Sequence, residues 1–174
     1  MRIYADHAAT TNLSPAALSA MLPCLEQVYG NPSSLHSVGQ QAQEILTDAR
    51  GRMAALLNCR PEELIFTSGG SEADNQAIRS AAALGAQAGK KHIISTAFEH
   101  HAVLHTLKKL EREGFEVTLL DVHENGLITA EEVKNALRED TCLVTVMYAN
   151  NEIRTIQPIG EIGAVCPEPG VLFH

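Results

Sequence analysis

Leu64-Ile65-Phe66-Thr67-Ser68-Gly69-Gly70-Ser71-Glu72-Ala73-Asp74-Asn75 is the stretch on which the fold turns. Leu64–Phe66 predicts a short buried strand. Glu72 onward predicts a helix, with Ala73, Ala77, Ile78, Ala81 and Leu84 at helical spacing. Ser68-Gly69-Gly70-Ser71 is then a tight turn that opens the helix. Two glycines let backbone amides face outward with no β-carbon in the way, and a helix N-terminus adds unpaired N–H groups and positive potential. Such a turn suits an anion, most simply a phosphate. The same residues also suit an ordinary strand-to-helix connection.

Working outward, strands and helices alternate. The pattern predicts a helix to Ala88 ended by Gly89, a strand over 91–95, a helix over 101–113 closed by Gly114, and a strand over 116–120. A turn at Asn125-Gly126, a helix over 130–137 capped by Thr129, a strand over 142–148, a helix over 159–165 and a strand over 171–173 complete this half. Toward the N-terminus, residues 3–6 predict a short strand. Ser14 and Pro15 start a helix running to about Glu26, Gly30–Ser34 is a loop, and residues 40–57 form an amphipathic helix. Strands alternating with helices of ten or so residues predict an α/β domain with a mostly parallel sheet, in which ligands collect at the carboxyl ends of the strands. The sequence stops at His174, directly after a strand, so the sheet reads as unfinished and the chain as truncated.

A chain of 174 residues with 45% hydrophobic side chains can build a real core. Its net charge of −8 and lack of long basic runs argue against nucleic acid or an anionic membrane as partner. No stretch approaches the ~20 apolar residues of a membrane span, and the N-terminus lacks a signal-peptide core. Cys24, Cys59, Cys142 and Cys166 are widely spread without a CxxC pair, which suits a reduced, cytoplasmic protein and structural thiols.

Three loops follow strands: Ser68–Ser71, Phe98–His101 and Asn150–Glu152. Neither GxxxxGK[ST] nor GxGxxG occurs, which weakens nucleotide readings. His101 and His105 are one helical turn apart and could bind a metal, but no third ligand lies near in sequence. The alternatives are solvated histidines or, for His100-His101, a ring laid over a flat aromatic ligand. Asn150-Asn151 reads either as an Asx turn or as a binding pair.

Together these segments resemble the cysteine desulfurases of the class V aminotransferase family, in its nitrogen-fixation-like group. The resemblance rests on YADHAATT (4–11), GNPSSLHSVGQQA (30–42), IFTSGGSEADN (65–75), EHHAV (99–103), and NNEI with TIQPI (150–153 and 155–159), in the family's order along nearly the whole chain. It implies a fold-type-I architecture, with residues 1–25 associated with a small domain and 26–174 forming part of a large cofactor-binding domain. It implies pyridoxal 5′-phosphate as cofactor. The family's phosphate-binding pair falls on Gly70 and Ser71, its ring-stacking and proton-moving catalytic histidine on His100, and its cofactor- and substrate-binding asparagine on Asn150.

The implied reaction takes sulfur from L-cysteine, leaving L-alanine and a protein persulfide that feeds sulfur-acceptor or iron–sulfur scaffold proteins. The family enzymes are homodimers. The family's cofactor-holding lysine, its nucleophilic cysteine and the aspartate paired to the pyridine nitrogen fall beyond residue 174, so this stretch is expected to be inactive alone. A selenocysteine lyase, an epimerase-like relative and a non-catalytic binding protein are the alternative readings. Ser71 stands where threonine is usual and keeps the hydroxyl. Arg154 stands where glycine is usual; if φ is positive there, arginine costs about 1 kcal/mol. Pro167 and Pro169 are expected to break the preceding helix and loosen the approach to the last strand.

Overall fold

Ile93 and Ile94 are adjacent and wholly buried, yet they belong to two different apolar clusters. Leu143 and Val144 divide in the same way. Side chains alternate across a strand, so a sheet whose successive residues are both buried must be covered on both faces. The computed structural model, which describes residues 2–166 and 170–174, shows that sheet. The chain divides into two compact units, Met1–Phe66 and Thr67–His174.

Among its described residues the second unit carries four strands: β1 (His92–Thr96), β2 (Glu116–Leu120), β3 (Thr141–Val144) and β4 (Leu172–Phe173). They lie in the order β2-β1-β3-β4 and every pairing is parallel. Residues of α3 (Gly70–Gln87) and α4 (His101–Arg112) build the cluster of Ile78, Ile93, Val103, Leu107 and Leu143 on one face. Residues of α5 (Ala130–Ala136) and α6 (Ile159–Val165) build the cluster of Ile94, Val133, Val144 and Ile162 on the other. The local signals explain the boundaries. Gly89 and Gly114 take positive φ just beyond α3 and α4, as helix-ending glycines do. Thr129 and Glu132 form a reciprocal capping box at α5.

At the amino ends of the strands, buried His92 ties three of them together. Its Nδ1 pairs with Thr141 Oγ1 at 2.8 Å and its Nε2 with Thr118 Oγ1 at 2.9 Å. Thr141 Oγ1 also accepts the Arg138 N–H.

The first unit contains α1 (Pro15–Glu26), with Ser14 accepting the Ala17 N–H at its start, and α2 (Ser37–Leu57). The second helix begins three residues earlier than the apolar period suggests, because His36 Nδ1 caps it by accepting the Gly39 N–H.

Three expectations are corrected. Leu64–Phe66 is not a buried strand: Pro61–Glu63 forms a 3-10 turn, and Ile65 and Phe66 are 66% and 52% exposed. Among the described residues no strand pairs with this segment. The Arg50 guanidinium instead donates to the Leu64 carbonyl and lies 4.7 Å from the Phe66 ring centre. Residues 3–6 are likewise not a strand; Asp6 accepts from the Ala9 and Thr10 amides in a turn. The strand expected over 142–148 leaves the ladder at Val144. Thr145 still donates to Ile94 and Val146 to His174, after which the chain turns away. The break expected at Pro167 and Pro169 lies outside the described residues.

Candidate functional site

The strand order gives the unit a topological switch point. After β1 the chain passes to α4 on one face of the sheet, and after β3 it reaches α6 on the other. The two connections diverge, leaving a crevice at the carboxyl ends of β1 and β3, where open α/β sheets bind ligands. His100 lies on the first connection and Asn150 on the second.

Beside this crevice, α3 begins at Gly70 with Gly69 as its N-cap, and its first backbone bond runs from the Ala73 N–H to the Gly69 carbonyl. The N–H groups of Gly70, Ser71 and Glu72 have no acceptor among the described residues. A β-carbon built on Gly69 or Gly70 would meet nothing within 4 Å, and neither residue has the left-handed φ that requires glycine. Nothing in the protein's own packing thus asks for glycine here. The two residues leave bare backbone facing open space. The preceding loop is held from below: Glu72 Oε2 accepts both the Ser68 N–H (2.7 Å) and its hydroxyl (2.6 Å), which keeps that exposed carboxyl below the usual range.

A relay that sequence reading missed fixes Ser71 from the other side. Asn75 Nδ2 donates to the Ser71 carbonyl at 2.7 Å and, more weakly, to the Ala102 carbonyl at 3.4 Å. The Thr106 hydroxyl donates to Asn75 Oδ1 at 2.6 Å. The start of α3 is thereby registered against the first turns of α4. Asn75 follows Ser71 by four residues, a spacing legible in sequence; its partner Thr106 was not.

His100 is the N-cap of α4, and its Nδ1 accepts the Ala102 N–H at 3.1 Å. In the neutral ring Nδ1 is therefore the acceptor and Nε2 carries the proton. The ring edges three concavities: one shared with Ser71 and Asn75, one with Asn150 and Phe98, and a small recess shared with Asp74, Glu99 and His174. Ser71, His100 and Asn150 are thus brought to one region, with His100 between the other two. Gly70 adjoins Ser71.

Asn150 is 8% exposed, and its side chain is fully occupied. Oδ1 accepts the Glu152 and Ile153 amides at 2.9 and 3.0 Å, which is the Asx turn that the sequence allowed. Nδ2 donates to the Phe98 carbonyl at 3.0 Å and to Met147 Sδ at 3.4 Å.

Glu99, also passed over in sequence reading, is 6% exposed. Its Oε1 accepts the Thr96 hydroxyl at 2.7 Å and the Met147 N–H at 2.8 Å. Burial raises its pKa, against the pull of those two hydrogen bonds. His174 Nδ1 pairs with Thr145 Oγ1 at 2.9 Å, and its Nε2 lies 4.0 Å from Asp74 Oδ1.

His101 and His105 stack at 5.4 Å between ring centres. Among the described residues no three His, Cys, Asp or Glu side chains converge as a metal site. The cysteines are unbridged, and burial pushes the Cys142 and Cys166 thiols up, away from the range of an activated thiolate. No helix among the described residues is long and apolar enough to cross a membrane.

Comparisons with known proteins agree with this fold. A cysteine desulfurase IscS of Clostridium botulinum is 49% identical over 173 residues, covering 99% of this chain and 43% of its own length. A solved NifS-like protein superposes with a TM-score of 0.95 at 36% identity, over 100% of this chain and 48% of the other. SspA, solved in complex with cysteine, superposes with a TM-score of 0.91 at 38% identity, over 97% of this chain and 48% of the other. The chain spans a little under half the length of the curated relatives it matches. The aminotransferase class-V family model matches residues 3–174, and the chain belongs to that family.

Proposed function

We propose that these residues form the phosphate- and ring-binding part of a pyridoxal 5′-phosphate-dependent cysteine desulfurase. The observation that carries this reading is the open amide cradle at Gly70-Ser71, set on one cleft with the exposed His100 ring. The residues present fit the cofactor. Three unpartnered N–H groups and the Ser71 hydroxyl suit a phosphate dianion, and the bare backbone of Gly69 and Gly70 admits its close approach.

Pyridoxal 5′-phosphate, when bound, supplies an electron sink for the bonds broken on an amino-acid substrate. The protein's part is to hold and orient. Gly70 and Ser71 bind the phosphate, with α3's dipole favouring the negative charge. His100 covers the ring. Because its Nδ1 is committed to the Ala102 N–H, the proton it can give or take is the one on Nε2. Asn150 would reach cofactor or substrate by exchanging the weakest of its bonds, that to Met147 Sδ, for a ligand oxygen.

L-Cysteine as substrate is supported by the desulfurase relatives and by the cysteine complex of SspA. The products are L-alanine and a persulfide passed to sulfur-acceptor or iron–sulfur scaffold proteins, in a cytoplasmic homodimer whose small domain includes residues 1–25 and whose large domain includes 26–174. We assign neither the cofactor-holding lysine nor the nucleophilic cysteine to any residue of this chain. Lys90 donates to the Gly170 carbonyl and Lys91 lies over Phe115, while burial holds the Cys142 and Cys166 thiols up.

The test uses pyridoxine 5′-phosphate, which has no aldehyde to condense with surface lysines. This chain should bind it saturably, inorganic phosphate should compete, and Gly70→Val and His100→Ala should each weaken it. Absence of saturable binding overturns the reading. With a thiol reductant present to release the persulfide sulfur, a chain extended to the length of the curated relatives should yield sulfide and alanine in equal amounts from L-cysteine, and the 174-residue chain neither.

A further inference from the structure

We propose that Glu99 is the positioning residue of this site: its buried carboxylate clamps the connection after β1 to the segment after β3 and so fixes where His100 and Asn150 stand relative to each other. The proposal rests on the cofactor reading above for its consequence, though not for its geometry.

Glu99 Oε1 accepts from Thr96, the last residue of β1, and from the Met147 N–H, which follows β3. The residue on its C-terminal side is His100. On the facing segment Met147 is three residues before Asn150, and it also receives the Asn150 Nδ2–H through its sulfur. Asn150 returns across the gap to the Phe98 carbonyl, the residue just before Glu99. The two cross-connections form a closed loop of hydrogen bonds spanning the switch point. A neutral amide could accept the same two donors at lower desolvation cost, so a buried charge here must bring something besides packing. A carboxylate makes both bonds shorter and stronger, in a place where two diverging connections have no ladder to hold them. Asp74 is the other acid at the recess, and its charge opposes ionisation of Glu99; His100 and His174 border the same recess.

Three variants test this: Glu99→Gln, Glu99→Ala and Thr96→Val. Glu99→Ala should weaken pyridoxine 5′-phosphate binding about tenfold, as expected for loss of a buried charge-assisted pair. Glu99→Gln, which keeps the acceptor but loses the charge, and Thr96→Val, which removes one of the two donors, should each fall between wild type and Glu99→Ala. By NMR, the Met147 amide proton should follow one acid titration above the ordinary carboxylate range in the wild type and lose it in Glu99→Gln. A folded Glu99→Ala that binds like wild type overturns the proposal, as does a Met147 amide that does not titrate. If Glu99→Ala does not fold, Thr96→Val and the Met147 titration decide. If the wild type binds no pyridoxine 5′-phosphate, the functional reading fails. The His100 ring and Asn150 amide signals of Glu99→Ala then decide the clamp: displaced they support it, unmoved they overturn it.

Discussion

Asn150 Nδ2 donates to the carbonyl of Phe98 at 3.0 Å, joining two connections that leave the sheet toward opposite faces. The contact separates residues 52 positions apart in sequence, and it places the loop bearing His100 beside the loop bearing Asn150. The same side chain closes an Asx turn through Oδ1. One residue therefore sets both the shape of its own loop and its tie to the neighbouring one.

Asn150→Ala should destabilise the protein by about 1–2 kcal/mol, because it strands the half-buried partners of Oδ1 and the Phe98 carbonyl together. Asn150→Asp keeps the turn acceptors and loses the donor, so it should cost less. Urea unfolding curves for the two variants, compared at equal m-value, check the order.

Thr106→Val removes the hydroxyl that Asn75 Oδ1 accepts while leaving the side-chain volume nearly unchanged. The expected loss is about 1–2 kcal/mol of stability. Ser71 should also become less firmly placed, which pyridoxine 5′-phosphate affinity reads separately from the unfolding midpoint.

Arg154 has φ +62, so arginine does stand in the left-handed region that favours glycine. Arg154→Gly should stabilise by about 0.5–1 kcal/mol, the relief of backbone strain being partly offset by the entropy of a freer unfolded chain. Gly126 gives the opposite case. It has φ +73, and a β-carbon there would meet Ile153 Cδ1 at 2.6 Å and Thr155 Cγ2 at 2.8 Å. Gly126→Ala should therefore destabilise by about 2 kcal/mol, from strain and overpacking together. Denaturation midpoints of the two variants should move in opposite directions.

Two buried groups give opposing pH dependences. Burial, helped by the nearby Arg138 guanidinium, holds the His92 pKa below the ordinary 6.5; Asp140 and Glu116 act weakly the other way. Between the folded value and 6.5 the unfolded chain binds more protons, so this contribution is full above 6.5 and is lost as the pH falls. Glu99 is raised above the ordinary 4.5. The folded chain then binds more protons between 4.5 and its folded value, and stability falls as the pH rises through that window. Unfolding followed from pH 4.5 to 7.5 should show a flatter acid side in His92→Gln and a flatter rise-linked loss in Glu99→Gln.

Periodicity and capping signals in the sequence determined the alternating α/β plan. Ser14-Pro15, Thr129 with Glu132, Gly89 and Gly114 mark element ends through short-range hydrogen bonds and backbone sterics, which a local stretch fully specifies. The glycine-led opening of α3, which starts at Gly70 and not at Glu72 as the apolar period suggests, and the loops after β1 and β3 were legible for the same reason, as was the Asx-turn option at Asn150. What a local stretch cannot specify is which segment finds a partner. Leu64–Phe66 has a strand's composition, but among the described residues no ladder includes it, and Arg50 satisfies the Leu64 carbonyl instead. The strand order, the crevice between β1 and β3, the Asn75–Thr106 relay and the Glu99 clamp all depend on contacts across 31 to 48 positions or more. Such contacts exist only once both faces of the sheet are covered, and only then are Ser71, His100 and Asn150 gathered in one place.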